Sequence, residues 1–200
     1  MTFTDLLRKR FKHILDPAAA FLNSLGLMPN TVTIAGLVGN IGAAYLLATG
    51  HITWGGIVVL LMGPIDALDG TMARLRGEPT KFGGFVDSVT DRYSELVIFL
   101  GLLVFFLQRQ DWLSCVGVFL ATAGSVMVSY IRARAQSAGM DTKVGLFTRV
   151  ERFLVLAPCL IFNLPLIAVW AIALFANITA FQRIWHVRQQ AYEQMNGKPK

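Results

Sequence analysis

The chain has 200 residues, 54% of them hydrophobic and 15% charged, with a formal net charge of +6. A soluble domain is roughly a quarter charged, so this composition, with a mean hydropathy of +0.56, excludes an ordinary water-soluble globule. It points to a single membrane-embedded domain over residues 1–200, with membrane lipids around it and no nucleic-acid partner.

Residues 3–25 come first in chain order. Phe3, Leu6, Leu7, Phe11, Ile14 and Leu15 recur at helical spacing, while Arg8, Lys9 and Lys12 take the other face. This predicts a basic amphipathic helix within residues 1–25, lying in the interface with its cations toward anionic headgroups. The charged, interrupted run from Met1 to Leu15 does not resemble a cleavable signal peptide. Pro29 then starts a turn, and Asn30 or Thr31 suits the N-cap of the next helix.

Six apolar spans follow, at about 31–49, 52–75, 84–107, 112–135, 150–162 and 165–185. Each is near the length that crosses ~30 Å of hydrocarbon. The expected fold is therefore all-α and polytopic: an interfacial helix, six transmembrane helices over 31–185, and a tail over 189–200 whose last residues, Gln194 to Lys200, read as disordered. Ala35, Gly36, Gly39, Gly42, Ala43 and Ala44 give the first span a small-residue face for close helix packing. Such faces in the first three spans would also suit a homodimer. Cys115 and Cys159 sit alone in apolar stretches, which gives neither a disulfide framework nor a zinc site. The fifth span is interrupted by Pro158, Asn163 and Pro165, which predicts a break near 163–165. One long kinked helix is the competing reading; it leaves five spans and puts the C-terminus outside.

Basic residues sort by side. Arg8, Lys9, Arg10 and Lys12 precede the first span, Arg74, Arg76 and Lys81 separate the second and third, and Arg132, Arg134, Lys143, Arg149 and Arg152 separate the fourth and fifth. Arg188, Lys198 and Lys200 follow the sixth, against Arg109 alone on the other side. The positive-inside rule puts both termini and both basic loops in the cytoplasm of a cell whose inner membrane holds the chain.

Asp66 and Asp69 occur near the end of an otherwise apolar span, three apart and so on one helix face. Asp87 and Asp91, four apart, repeat the arrangement at the start of the next span. The short stretch from Leu75 to Phe82 is expected to bring the two faces together at the cytoplasmic boundary. Four carboxylates in a low-dielectric site repel one another unless cations compensate. Oxygen-only donors suit Mg²⁺, or Mn²⁺, over zinc. Two such ions can neutralise a pyrophosphate and stabilise phosphoryl transfer. Gly70 leaves room for a ligand against the backbone, and Arg74, one turn on, can pair with phosphate oxygens. A proton relay of an ion-coupled transporter is the alternative use of intramembrane acids.

Asp66-Ala67-Leu68-Asp69-Gly70-Thr71-Met72-Ala73-Arg74, followed by Gly83, Asp87 and Asp91 at the matching intervals, resembles the CDP-alcohol phosphatidyltransferase motif at all eight fixed positions. The resemblance in layout covers nearly the whole chain. It implies that Asp66, Asp69 and Asp87 ligate metal, and that Asp91 is both ligand and the base for the acceptor hydroxyl. It further implies that Gly70, Arg74, Thr80 and the segment Pro29, Asn30, Thr31, Val32 bind the CDP-lipid. The implied reaction is attack of an alcohol on the β-phosphate of CDP-diacylglycerol with release of CMP.

The acceptor is read from the run Ser129-Tyr130-Ile131-Arg132-Ala133-Arg134 and the later Arg149-Val150-Glu151-Arg152. Arg132, Arg134, Arg149 and Arg152 would suit an acceptor that already carries a phosphate, although positive-inside topology accounts for part of the cluster. The pattern is similar to the phosphatidylinositol-phosphate synthase branch, which implies inositol phosphate as acceptor; Arg132 stands where that branch has lysine. Glycerol 3-phosphate, giving phosphatidylglycerophosphate, is the runner-up.

Overall fold

The computed structural model describes residues 3–77, 80–142 and 144–195, with the side chains of 3–12, 14 and 66 outside the description. Every regular element among the described residues is a helix: α1 (Phe3–Ser24), α2 (Pro29–Ala48), α3 (Ile52–Leu75), α4 (Lys81–Gln108), α5 (Trp112–Ser137), α6 (Arg149–Ile161) and α7 (Pro165–Met195). The apolar residues assigned above to the face of an interfacial helix all lie on α1, and all but Leu15 fall outside the described side chains.

Among the described residues four helices, α2, α3, α5 and α7, are long and apolar enough, by length and composition, to cross a membrane. The other two expected spans fall short for separate reasons. Asp87, Asp91, Arg92 and Glu95 all lie within the first fifteen of the 28 residues of α4, which shortens its apolar run. With 13 residues, α6 is only about 20 Å long at 1.5 Å per residue.

The break between α6 and α7 is a true chain reversal. Asn163 takes the left-handed conformation at φ 58°. Its N–H donates to the Leu160 carbonyl at 2.9 Å and the Leu164 N–H to the Cys159 carbonyl at 2.7 Å, the paired bonds of a Schellman cap. Pro165 then opens α7 at the position where its missing N–H costs nothing. Two helices therefore stand where a kinked one was the alternative. At its far end α7 passes the expected limit and closes at Met195, so Gln194 and Met195 belong to a helix; residues 196–200 lie outside the description. Arg188 stacks over the rings of Trp185 and Tyr192, with its guanidinium carbon 5.3 and 5.4 Å from the centroids, which supports that extension.

The helix start at α2 also differs from expectation. Pro29 is the first helical residue and Met28 the N-cap, which makes no side-chain cap. Proline is pre-set for that first position, and this moves Asn30 and Thr31 inside the first turn.

The chain divides into two compact units, Met1–Leu102 and Leu103–Lys200. In the first, α2 packs on α3 through its small residues: a β-carbon at Gly55 would stand 2.6 Å from the Leu47 side chain, and one at Gly39 2.1 Å from the Met62 sulfur. At Gly101 of α4, an added β-carbon would be 2.4 Å from the Ala44 carbonyl oxygen, so α2 and α4 touch backbone to backbone. Ala19 of α1, Val32 of α2 and Met72 of α3 form a buried cluster with Leu22, Ile65 and Leu68 packed around it. Arg76 fastens the α1–α2 corner by donating to Asn23 Oδ1 at 2.8 Å and to the Leu27 carbonyl at 2.7 Å.

In the second unit, Asp111 caps α5 by accepting from the Ser114 N–H at 3.0 Å, and α7 packs on both α5 and α6. Gly117 faces Val169 and Trp170, and Gly124 faces Ala176 and Asn177. The Asn177 amide donates to the Leu120 carbonyl of α5 at 3.0 Å and to Ala173 in its own helix at 2.7 Å.

Candidate active site

Asp69 sits in the last third of α3 and is only 5% exposed. Burying a carboxylate is costly unless donors or cations meet it. Its Oδ2 accepts the hydroxyl of Thr33, from α2, at 2.5 Å, and its Oδ1 accepts the Gly70 N–H at 2.5 Å. Asp66 lies one turn earlier in α3, with its side chain outside the description.

Gly70 and Arg74 follow on the same helix. The Arg74 guanidinium reaches back to donate to Thr71 Oγ1 at 2.8 Å, which pre-aims an otherwise exposed cation. Among the described side chains, a β-carbon added at Gly70 would meet only Arg74 Nη1, at an ordinary 3.7 Å. Internal packing therefore does not require glycine there, although a helix-interior glycine costs about 0.5–1 kcal/mol relative to alanine.

Thr80 starts α4. Its hydroxyl accepts the Gly83 N–H at 2.9 Å and its carbonyl the Gly84 N–H at 3.2 Å, so the residue acts as a cap whatever else it binds. A β-carbon at Gly83 would lie 3.0 Å from that hydroxyl and 3.8 Å from Asn30 Oδ1. Two of the expected nucleotide contacts, Asn30 and Thr80, thus converge where α2 and α4 begin. Pro29 and Val32 have structural duties as well, one opening α2 and the other buried in the cluster with Ala19 and Met72. Thr31 donates its N–H to the Met28 carbonyl at 3.0 Å in the same turn.

Further along α4, Asp87 is half-buried and Asp91 is 7% exposed. Asp91 Oδ2 is 3.6 Å from Arg92 Nη1. Among the described residues no group of three or more His, Cys, Asp or Glu side chains is gathered closely enough to hold an ion. The donor chemistry nonetheless fits a hard divalent cation: the described acids are carboxylates only, and Asp69 and Asp91 are buried.

The expected acceptor residues belong to the second unit. Arg132 and Arg134 end α5 and are exposed, and Arg149 opens α6 half-buried. Arg152 is 2% exposed and donates to the Phe147 carbonyl at 3.4 Å. Thr148, the N-cap residue of α6, gives its hydroxyl to Glu151. Sequence reasoning missed Arg183, which is 4% exposed in α7. Its Nη1 donates to the Val128 carbonyl at 2.5 Å and its Nε to Val144 at 3.0 Å. Arg132 and Arg152 are the like charges acting on it, opposed by Asp141 and Glu151. The signal was available: a cation inside an apolar helix is a functional candidate by default.

The sequence profile of the CDP-alcohol phosphatidyltransferase family matches residues 26–182. The chain is similar to the archaetidylinositol phosphate synthase of Pyrococcus horikoshii, with 36% identity over 92% of this chain and 96% of the relative. It is also 36% identical to the phosphatidylinositol phosphate synthase of Mycobacteroides abscessus, over 92% of this chain and 87% of that one. Among solved structures, the Mycobacterium tuberculosis phosphatidylinositol phosphate synthase with CDP-DAG bound superposes with a TM-score of 0.82 at 31% identity, over 88% of this chain and 94% of that one. The same enzyme in complex with manganese and citrate gives a TM-score of 0.82 at 30% identity, over 86% and 88%.

Proposed function

The chain belongs to the CDP-alcohol phosphatidyltransferase family, and from that premise we propose that it transfers the phosphatidyl group of CDP-diacylglycerol to a hydroxyl of inositol phosphate, releasing CMP. The observation that carries this reading is the intact aspartate motif on α3 and α4, with Asp69 and Asp91 buried and Gly70 free of internal packing demand. The acceptor is supported by the relatives. The two named above differ in the lipid part of their names and agree in inositol phosphate. Neither a glycerol 3-phosphate acceptor nor an ion-coupled transporter draws support from them.

Asp66, Asp69, Asp87 and Asp91 would hold divalent metal, two Mg²⁺ or Mn²⁺ ions. Such ions supply neutralisation of the pyrophosphate charge. The solved relative with manganese supports a divalent ion. Pro29, Asn30, Thr31, Val32, Gly70 and Thr80 form the seat of the CDP moiety, and Arg74, held by Thr71, meets its phosphates. Asp91 takes the proton of the acceptor hydroxyl as the oxygen bonds to the β-phosphorus and the bond to CMP breaks. The acceptor phosphate is held by Arg132, Arg134, Arg149 and Arg152, and Arg183 joins this set from α7. Planar guanidinium groups suit that role because each offers paired donors to phosphate oxygens.

The domain is one membrane unit of six spans behind an interfacial α1, with both termini and the site on the cytoplasmic side of the cell membrane. On this reading α4 crosses with its charged end at the interface, and α6 is the short span. Small faces such as Gly42, where an added β-carbon meets nothing within 4 Å, suit a homodimer.

Purified protein with radiolabelled CDP-diacylglycerol and Mg²⁺ should release CMP with inositol 3-phosphate and not with inositol or glycerol 3-phosphate. Release with glycerol 3-phosphate alone would reassign the acceptor, and silence with every acceptor would sink the enzymatic reading.

A further inference from the structure

Thr33 lies one residue beyond the segment assigned to the nucleotide, yet its side chain ties α2 to the acidic stretch of α3. Both Thr33 and Asp69 are buried. The Thr33 hydroxyl is 3.1 Å from the Pro29 carbonyl of its own helix and 2.5 Å from Asp69 Oδ2. A buried helical threonine ordinarily bonds back to the carbonyl four residues earlier. One hydroxyl proton serves one acceptor at a time, and an ionised carboxylate is the stronger acceptor. The proton therefore goes across the helix interface to Asp69. With Oδ1 already receiving the Gly70 N–H at 2.5 Å, both oxygens have a fixed donor, and the plane of the carboxylate is set from both sides.

We propose that Thr33 is a positioning residue for the reaction: its hydroxyl orients the Asp69 carboxylate and thereby sets the affinity of the acidic site for its divalent ion. This rests on the reading of Asp69 as a metal ligand. Donors that orient a ligating carboxylate are typically worth 10–100-fold in metal affinity.

The test is Mn²⁺ binding to the full-length protein in lipid nanodiscs, followed by the paramagnetic resonance signal of free Mn²⁺ and so independent of turnover. Thr33→Val keeps the shape and deletes the donor; it should weaken Mn²⁺ about ten-fold or more, while Thr33→Ser, which keeps the donor, should stay within about two-fold of the parent. Equal affinity in Thr33→Val and the parent overturns the proposal. So does a serine variant as weak as the valine one, because the effect would then lie in methyl packing. If Thr33→Val does not fold, Thr33→Ala and Thr33→Ser are compared by the same criteria. Absence of Mn²⁺ binding by the parent itself would instead overturn the metal reading on which this one stands.

Discussion

Among the described side chains, an alanine at position 70 would touch only the tip of Arg74, so the fold should tolerate it and the site should not. Gly70→Ala should melt at the parent temperature or somewhat above, by up to about 1 kcal/mol of helix propensity, and bind CDP-diacylglycerol weakly in an equilibrium assay. Full retention of binding would leave that glycine without an explanation. For Asp91→Asn the expected outcome is opposite in kind: turnover abolished and CDP binding largely retained, read by CMP release and nucleotide titration. Loss of binding would contradict its assignment as base. The spacing of the four aspartates was legible because a helix converts three- and four-residue intervals into a shared face. Thr33 was not, since its partner lies 36 residues away and only packing of α2 on α3 brings them together. Arg183 was hidden differently, counted as the end of an apolar run when its burial made it a constituent of the basic group.

Helix contacts make sharper demands on some glycines than on others. Gly101→Ala would drive a methyl to 2.4 Å from the Ala44 carbonyl oxygen, and overpacking of this kind typically costs about 1–3 kcal/mol. Gly42→Ala meets nothing within 4 Å and should leave monomer stability unchanged or slightly raised; paired melting curves decide between the two sites. At the start of α5, the Ser114 hydroxyl and then its backbone N–H hold the Asp111 carboxyl below the usual carboxylate range. A lowered folded value means that this cap contributes fully above the unfolded value near about 4 and is lost as pH falls through the folded one. Melting should therefore drop in that acid window, and Asp111→Asn, which caps without titrating, should flatten the drop. The α6–α7 reversal was readable from Asn163 and Pro165, residues with strong local preferences. The extent of α7 was not, because Gln189 to Met195 are mostly polar, with only Ala191, Tyr192 and Met195 apolar, and their helix follows from continuation past Trp185.

Six spans and a cytoplasmic C-terminus are a statement about parity as much as about number. A green fluorescent protein fused after Lys200 should fold and fluoresce if the C-terminus is inside; an exported alkaline phosphatase fused there should stay inactive. The reverse pattern would favour an odd number of crossings. Composition made an all-helical membrane chain legible, yet it overstated the crossing evidence for α4 and α6, whose apolar runs are shortened by charge and by length. The Asn177 and Arg183 contacts also bear on biogenesis. Both side chains belong to α7, and their acceptors, the carbonyls of Leu120, Val128 and Val144, are synthesised before it. An arginine entering lipid alone costs a few kcal/mol. We infer that α7 leaves the translocon onto a waiting partner, so a chain lacking α5 should insert α7 poorly and be degraded, which pulse-chase labelling would reveal.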